Sequence, residues 1–230
     1  MSAKRQVNKI LVVGFGSIGK RHINNIIDYF PNIIIGLLRH EKNNDSEVLS
    51  YGVKSCFSTI EEALLFEPDA AIIANPSSFH VETAMYLADA GVHLLIEKPI
   101  SNSLYGVKTL IDLCSKNDVK LMTGYNLRFL PSLNKLFNLL NENVIGELYS
   151  VHIEAGQYLP DWRPDIDYKD TVSSQKYLGG GVLLELSHEL NYAQWLFGDI
   201  EWVKATLLNQ SNLEVDVEDS AHLQLGINNR

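Results

Sequence analysis

Two charged residues and a proline end an apolar run in the first half of the chain, GVHLLIEKPIS, residues 91 to 101. The run predicts a buried strand, so Glu97 and Lys98 emerge at its carboxyl end, where open α/β sheets bind ligands. A lysine there can polarise a substrate oxygen and, when partly desolvated, take part in proton transfer. A surface salt bridge is the alternative. Pro99 biases Lys98 towards an extended conformation and permits a cis bond between them.

Three glycines with the spacing G-x-G-x-x-G occur near the N-terminus, in GFGSIG, residues 14 to 19. The segment follows a predicted strand and opens a predicted helix, which is the context that dinucleotide binding requires. In that motif Gly14 permits the tight turn, Gly16 lets a pyrophosphate approach the backbone, and Gly19 lets the helix pack on the strand. A turn that is glycine-rich by chance is the alternative. The predicted phosphate loop contains Gly14, Phe15, Gly16, Ser17, Ile18 and Gly19.

The tip of the second predicted strand bears on the choice between NAD and NADP. NAD sites favour Asp or Glu at this position, about 20 residues after the glycine motif. Here the chain reads LLRHEK, with Arg39 at the tip and Glu41 beyond it. Arg39 is suited to pair with a 2′-phosphate, which favours NADP over NAD. An arginine stacked on adenine would be compatible with either cofactor.

A glycine triplet at residues 179–181 precedes a predicted helix, VLLELSHELNYAQWLFG. Glu185, His188 and Tyr192 have i, i+3 and i+7 spacing, which would put them on one helix face. His188 is an acid–base candidate because the pKa of histidine lies near neutrality, and Glu185 is suited to bind a hydroxyl or orient a base. A solvated face is the alternative. The single E-x-x-H pair does not predict a metal site.

A long polar segment interrupted by proline and glycine, DWRPDIDYKDTVSSQKYLGGG, ends in the glycine triplet and predicts a loop. Within it, Trp162 can stack on a sugar face and Arg163 can hold a phosphate or carboxylate. An ordinary surface loop or a subunit contact would have the same composition.

Apolar strands alternate with helices up to about residue 125. One of these helices, TIEEALLFE, opens with Thr59 and carries Glu62 three residues later, which predicts a capping box. This order predicts an α/β fold, a Rossmann doubly wound parallel sheet, over residues 1–125. The order then changes to a helix at PSLNKLFNLLNE, a half-buried strand at GELYSVHIEAGQY, one helix after the glycine triplet, and strands at IEWVKATLLNQ and VEDSAHLQLGI. We therefore predict a second, α+β domain over residues 126–230 with an open, mostly antiparallel sheet.

The composition limits the classes of partner. The chain has 230 residues, a formal net charge of −9 and no basic tract, which disfavours nucleic acid and anionic membranes as partners. No apolar run reaches the length of a membrane span. Cys56 and Cys114 lack C-x-x-C spacing and indicate a reducing compartment. The N-terminal apolar run is interrupted by glycines and lacks a cleavage site, so we expect no signal peptide and a cytoplasmic location.

Three separated segments resemble the Gfo/Idh/MocA oxidoreductases, the family of glucose–fructose oxidoreductase and inositol dehydrogenase. They are GFGSIGKRH, IIANPSSFHVETAMYLADAGVHLLIEKPIS and GGGVLLELSHELNYAQWLFG. The resemblance implies a Rossmann domain, a second domain with an open sheet, NAD(P), and a sugar or cyclitol substrate. It also implies a chain shortened at its C-terminus and, if the second sheet is functional, a homo-oligomer (dimer or tetramer).

The same resemblance implies roles for particular residues. The lysine of the family's E-K-P motif is catalytic and matches Lys98, and the acid and histidine after the glycine triplet match Glu185 and His188. Residues expected near the cofactor are Asn75, Pro76, His80, Glu97 and Lys98 itself. The segment GYNLRFLP resembles the entry into the second domain, so Tyr125 and Arg128 are expected near cofactor or substrate. Asn191 replaces an acid found in many relatives.

Three functions remain open on the sequence alone. The first is a dehydrogenase that acts on a CH–OH group, with Lys98 polarising the oxygen, His188 moving the proton and Glu185 orienting the substrate. The segment DWRPDIDY resembles members linked to bacterial surface-sugar synthesis, which suggests a nucleotide-linked or amino sugar. The second is a non-catalytic NAD(P)-binding sensor or partner subunit. The third is an enzyme that uses bound cofactor for transient oxidation during elimination or epimerisation.

Overall fold

The computed structural model describes residues 7–40 and 45–227, with only the backbone of Asp45, and Glu41 lies outside the described residues. The chain forms two compact units, Met1–Gly124 and Tyr125–Arg230. The division falls one residue before the predicted domain boundary, and each unit is described by itself.

The first unit is built on a six-stranded parallel sheet, as predicted from the alternating apolar runs. The strand order is β3-β2-β1-β4-β5-β6, which is the order of dinucleotide-binding folds. The register pairs Val13 with both Leu38 and Ile73, and Ile73 with Ile96, so four strands end level with one another. The strands are β1 Lys9–Val13, β2 Ile34–Leu38, β3 Ser55–Phe57, β4 Ala70–Ile73, β5 His93–Ile96 and β6 Leu121–Thr123.

Helices cover both faces of this sheet. Successive strand residues point to opposite faces, and Leu11 belongs to the apolar cluster with Leu87 and Leu110 whereas Val12 belongs to the cluster with Ile23. The helices are α1 Ser17–Tyr29, α2 Asp45–Ser50, α3 Ile60–Leu65, α4 His80–Asp89 and α5 Val107–Lys116. Among the described residues, no helix has the length and apolar character needed to cross a membrane.

The predicted capping box of α3 is confirmed. The Oγ1 atom of Thr59 accepts a hydrogen bond from the backbone N–H of Glu62 at 3.3 Å. The Glu62 carboxylate in turn accepts from the backbone N–H of Ser58 at 2.9 Å. Both contacts satisfy N–H groups that a helix start leaves without intrahelical partners.

The second unit contains three helices and a two-stranded antiparallel sheet within the described residues. Four single-turn 3₁₀ helices occur in the segment predicted as a loop, between Leu159 and Leu178. The main elements are α6 Pro131–Asn141, α7 Val182–Glu185, α8 Ser187–Phe197, β7 Ile200–Leu208 and β8 Ser220–Ile227.

The strand predicted at residues 146–158 is wrong, because this segment has no regular secondary structure. In the described part of the chain, β7 and β8 pair only with each other. A strand needs a neighbour for its backbone hydrogen bonds, and alternation of apolar and polar residues cannot supply one. The alternating pattern therefore does not produce a strand here.

The single helix predicted after the glycine triplet is also wrong. Leu186 has φ −95° and ψ 27°, which separates α7 from α8. Glu185 ends α7 and His188 lies in α8, so their i, i+3 spacing does not follow one continuous helix. The prediction that Glu185, His188 and Tyr192 share a helix face therefore fails for Glu185, although His188 and Tyr192 both belong to α8.

Candidate functional site

The predicted cofactor-binding residues of the first unit converge at the carboxyl edge of its sheet. Backbone hydrogen bonds continue beyond the strand ends: Gly14 N–H donates to the Leu38 carbonyl at 2.9 Å, and Glu97 N–H donates to the Ile73 carbonyl at 2.9 Å. The level strand ends thus place the glycine loop beside the segments that follow β2, β4 and β5. These segments begin with Arg39, Ala74 and Glu97.

The three glycines of the loop differ in what surrounds them. Gly14 has φ +96°, and a Cβ there would lie 2.8 Å from the Ala74 carbonyl oxygen. A Cβ on Gly19 would lie 2.1 Å from the Gly14 oxygen, so both positions exclude a side chain. At Gly16 a Cβ would meet no described atom within 4 Å. The first and third glycines allow backbone to pack on backbone, whereas the second faces open space.

The start of α1 matches what a pyrophosphate needs. Gly16 is the N-cap residue and supplies no side-chain hydrogen bond to the first turn. Backbone N–H groups at a helix start are orphan donors that attract anions. Ser17, Ile18 and Gly19 form the first turn, so the predicted phosphate loop is placed where a dinucleotide phosphate fits.

Asn75 offers a second feature that fits a bound cofactor. Its Nδ2 atom donates to Thr83 Oγ1 at 3.2 Å. Its Oδ1 atom is buried and has no hydrogen-bond donor among the described residues. A buried acceptor without a donor is costly, and an amide or hydroxyl of a ligand would satisfy it. Pro76 follows directly and is the N-cap residue of a 3₁₀ turn, Ser77–Phe79.

Glu97 is held by a residue that sequence reasoning did not select. His22 Nε2 in α1 lies 2.6 Å from Glu97 Oε1, and each side chain is 19% exposed. The Lys98 backbone N–H donates to Glu97 Oε2 at 3.3 Å. A signal for His22 was available, because it lies three residues after Gly19 and such spacing puts two residues on one side of a helix.

The contacts of Glu97 determine its charge. Burial pushes the pKa of Glu97 upwards, but the hydrogen bond and charge of His22, followed by the N–H and charge of Lys98, bring the pKa below its ordinary value. Glu97 is therefore ionised at neutral pH and places a negative charge next to Lys98. The 98–99 peptide bond is cis, as Pro99 permits.

His80 connects the segments that follow β4 and β5. Its ring is 1% exposed, with Nδ1 2.9 Å from the Pro99 carbonyl oxygen and Nε2 2.8 Å from the Asn75 carbonyl oxygen. Burial lowers the pKa of His80, although both carbonyls and the Glu97 charge act in the opposite direction. Because the ring contacts main-chain oxygens, the role that we propose for His80 is to position Asn75 and Pro99.

In the second unit, Glu185 is connected to the predicted loop through Ser173. The Ser173 hydroxyl donates to Glu185 Oε1 at 2.7 Å. Ser173 also lines a small cavity with Trp162 and Arg163, and Tyr168 and Thr171 complete this part of the lining. The loop with the stacking and anion-binding candidates and the helix-end carboxylate are therefore parts of one local arrangement. Nothing in the sequence singled out Ser173.

The glycine triplet has a packing role. A Cβ on Gly180 would lie 2.4 Å from the Val172 carbonyl oxygen. Gly181 has φ +107°, and a Cβ there would lie 2.5 Å from the Glu218 carboxylate. Glu218 Oε1 accepts from the Leu183 backbone N–H at 3.1 Å and satisfies a donor at the start of α7. The glycines thus allow α7 to begin close to the chain on either side.

One face of α8 contacts the segment that enters the second unit. The Tyr125 and His188 rings meet edge to face, with centroids 5.6 Å apart. Arg128 Nε donates to Asn191 Oδ1 at 2.9 Å, and its guanidinium lies 5.6 Å from the Trp195 ring centroid. His188, Asn191 and Trp195 have i, i+3 and i+7 spacing. Asn191, whose role was in doubt from the sequence, therefore holds Arg128.

Tyr192 lies on α8 beside a carboxylate. Burial raises the pKa of the Tyr192 hydroxyl, and the negative charge of Glu189 raises it further. The hydroxyl is therefore protonated at neutral pH and can donate a hydrogen bond. Among residues 7–40 and 45–227, no three His, Cys, Asp or Glu side chains form a metal-ligand set.

Comparison with known families matches both units. A family model described as an oxidoreductase family with an NAD-binding Rossmann fold, GFO_IDH_MocA, matches residues 8–125. A model of the GFO/IDH/MocA C-terminal domain matches residues 133–230. Together they cover both compact units.

Individual relatives are more distant and longer. Myo-inositol 2-dehydrogenase of Thermotoga maritima is 28% identical over 83% of this chain and 55% of its own length. Glucose-6-phosphate 3-dehydrogenase of Bacillus subtilis is 24% identical over 93% of this chain and 60% of its own length. The WlbA dehydrogenase of Bordetella pertussis, solved with NADH and UDP-GlcNAcA, has a TM-score of 0.83 at 21% identity, over 96% of this chain and 64% of that one. This structural likeness shows the fold.

Proposed function

Because the chain belongs to the Gfo/Idh/MocA oxidoreductase family, we propose that it is an NAD(P)-dependent dehydrogenase acting on a CH–OH group of a sugar-like substrate. The observation that carries the proposal is the position of Lys98, which leaves β5 at the same sheet edge as the glycine loop. The relatives named as inositol and glucose-6-phosphate dehydrogenases support a sugar, amino sugar, nucleotide-linked sugar or cyclitol.

The described residues fit a nicotinamide dinucleotide. The open side of Gly16 and the uncapped start of α1 suit the pyrophosphate, and the buried Asn75 Oδ1 suits a ligand donor. When bound, the oxidised cofactor accepts a hydride from the substrate carbon. Arg39, next in the chain to β2, supports a preference for NADP over NAD because guanidinium groups pair well with phosphate.

We assign to Lys98 the role of binding the substrate oxygen. Its ammonium polarises the hydroxyl or carbonyl, so that charge developing on oxygen during hydride transfer is stabilised. Glu97, ionised beside it and held by His22, keeps a negative charge near Lys98. His80 positions the backbone on the far side of Pro99 through its carbonyl oxygen.

We assign to His188 the role of the base that takes the hydroxyl proton. In the oxidation direction the carbon loses a hydride, the oxygen loses a proton, and the C–O bond becomes C=O, so a base must take that proton. Tyr125 packs edge to face on His188 and restricts its ring. Glu185 is assigned to orient the substrate, with one oxygen held by Ser173.

The remaining substrate contacts are assigned to aromatic and basic groups. Trp162 is proposed to stack on a sugar ring, and Arg163 and Arg128 to hold anionic groups of the substrate. Tyr192 is proposed to donate a hydrogen bond from its protonated hydroxyl. A nucleotide-linked sugar would provide the phosphates that two arginines suit.

We also propose a cytoplasmic homo-oligomer, a dimer or tetramer, formed through the antiparallel sheet. One face of this sheet is apolar, and Val203 and Leu207 on it are 57% and 45% exposed. Exposed contiguous apolar surface is typical of association sites. The strand register places Leu225, Leu223 and Ala221 on the same face. Light scattering of the purified chain would test the assembly.

Two measurements test the proposed enzyme. Fluorescence titration with NADH and NADPH tests binding, and turnover on a panel of sugars, sugar nucleotides and cyclitols tests catalysis. Replacing Lys98 by alanine should lower kcat at least about 100-fold while dinucleotide affinity stays within a few-fold, because its charge acts on the reacting oxygen.

The matched control is Lys108→Ala, which removes an exposed lysine from the same unit, 3.1 Å from Asp112. Turnover by Lys98→Ala within a few-fold of the original chain would overturn the catalytic assignment. Dinucleotide binding without turnover would favour the sensor or partner subunit, and turnover without net NAD(P)H accumulation would favour transient oxidation.

A further inference from the structure

Lys20 forms an ion pair at the sheet edge that carries the glycine loop. Its Nζ atom in α1 lies 2.6 Å from Glu47 Oε1 in α2, and the two side chains are 32% and 39% exposed. The same Nζ lies 4.7 Å from the Phe15 ring centroid and 5.8 Å from that of Tyr51. An ammonium at such distances from aromatic rings gains cation–π stabilisation.

Arg39 contacts the same aromatic ring. Its guanidinium carbon lies 5.7 Å from the Phe15 ring centroid. The cause is local, because the Gly14 N–H donates to the Leu38 carbonyl and joins the glycine loop to the end of β2. Phe15 and Arg39 each follow one of these residues along the chain. Two cations from different elements are thus gathered around one phenyl ring.

The ring arrangement holds Phe15 in place. Phe15 packs edge on to Tyr51, with centroids 5.4 Å apart. Both cations therefore lie against an aromatic pair whose position is set by packing. Bringing two positive charges to one ring costs Coulomb energy, which the Glu47 carboxylate offsets for Lys20.

This arrangement differs from an NAD site in a specific way. NAD sites use an acid near the end of β2 to accept a hydrogen bond from the ribose 2′-hydroxyl. Here the strand is followed by Arg39, and Glu47, an acid of this cluster, already accepts from Lys20. A 2′-phosphate carries up to two negative charges and three acceptor oxygens, which suits two basic groups.

We propose that Lys20 and Arg39 together form the 2′-phosphate subsite of this chain, and that Glu47 is the internal acceptor that holds Lys20 until the phosphate replaces it. The inference rests on the proposed dinucleotide binding and extends it to two residues that set cofactor specificity. Lys20 is a specificity residue, and Glu47 competes with the phosphate for it.

Binding titrations with NADPH and NADH test the assignment without any turnover assay. Lys20→Gln should weaken NADPH binding about tenfold, which is the loss expected for one charge-assisted contact. The affinity of this variant for NADH should stay within about threefold of the original value, since NADH has no 2′-phosphate. Glu47→Gln should tighten NADPH binding a few-fold and leave NADH binding unchanged, because a neutral amide competes less well than a carboxylate for the Lys20 ammonium.

Lys108→Gln is the matched control, since Lys108 is also paired with a carboxylate, Asp112, but is 88% exposed. It should change neither affinity. An equal loss of NADH and NADPH affinity in Lys20→Gln would overturn the assignment. A loss of NADH affinity in Glu47→Gln would overturn it as well. A starting chain that binds NADH but not NADPH would overturn it while the proposed function stands, and one that binds neither would contradict both.

Discussion

The two units differ in how they hold their candidate functional residues. Most fully buried apolar side chains of the described chain belong to the first unit, whereas Ala193, Leu196 and Val217 are the buried apolar residues of the second. In the first unit, Glu97 and Lys98 follow a strand whose partners on both sides are paired by backbone bonds. In the second, Glu185 and His188 lie on either side of a helix break.

This contrast indicates two ways to position a side chain. A parallel ladder determines where the next residue emerges, because each strand end is aligned with its neighbours. Around α7 and α8 the positions depend on individual contacts, from Ser173 to Glu185 and from Tyr125 to His188. Substitutions that disturb backbone packing should therefore cost more free energy of unfolding in the first unit than in the second.

The largest effect is expected in the glycine loop of the first unit. Gly19→Ala should lower the free energy of unfolding by about 2–4 kcal/mol, because its Cβ would lie 2.1 Å from a backbone oxygen that cannot move aside. Gly16→Ala should change it by less than about 0.5 kcal/mol, since no described atom is within 4 Å of the Cβ.

Urea unfolding measures both variants, and NADPH titration separates packing from binding. Gly16→Ala should weaken NADPH binding at least about tenfold, because its methyl group would stand where we propose that the pyrophosphate approaches the backbone. Equal stability losses in the two variants would contradict the distinction between packing glycines and the ligand-facing glycine.

A smaller effect is expected at the glycine triplet of the second unit. Gly180→Ala should lower the free energy of unfolding by about 1–2 kcal/mol, because its Cβ would lie 2.4 Å from the Val172 carbonyl oxygen, which belongs to a single-turn 3₁₀ helix and not to the parallel sheet. Gly156→Ala is the matched control in the same unit, with no described atom within 4 Å of its Cβ. Hydrogen exchange of residues 172–186 should rise only for Gly180→Ala; equal exchange in both variants would refute the packing role.

The smallest effect concerns the pair that joins α1 to the end of β5. His22→Gln should lower the free energy of unfolding at pH 7 by about 0.5–1 kcal/mol, through loss of a hydrogen bond to the Glu97 carboxylate. The folded protein depresses the pKa of Glu97, so its contribution is present above the unfolded pKa and is lost as pH falls through the folded value. The difference in the free energy of unfolding between His22→Gln and the original chain should therefore become smaller at acid pH.

Urea unfolding at several pH values between neutrality and the acid range checks this prediction. Lys108→Gln, which removes one member of an exposed ion pair, is the control. Its free energy of unfolding should run parallel to that of the original chain across this pH range. A stability gap for His22→Gln that stays constant down to acid pH would show that the pair acts by packing alone.

The sequence predicted the first unit more completely than the second. Apolar runs buried on both faces, the tight packing predicted at Gly14 and Gly19, and the capping box around Thr59 are local patterns that the structure confirmed. In the second unit the alternating segment at 146–158 forms no strand, and the predicted helix breaks at Leu186. Periodicity records which side chains favour burial, but a strand also needs a neighbour.

The sequence alone therefore determined the family, through the resemblance of three separated segments. It also determined the parallel sheet and the residue types at the strand ends, because these follow from local composition and spacing. Only the tertiary structure decided which side chains meet. His22 reaches Glu97 across 75 residues, His80 contacts the segments after two strands, and Lys20 joins Arg39 at Phe15. Such contacts depend on strand order and register, which bring segments that are distant in the chain to one edge of the sheet.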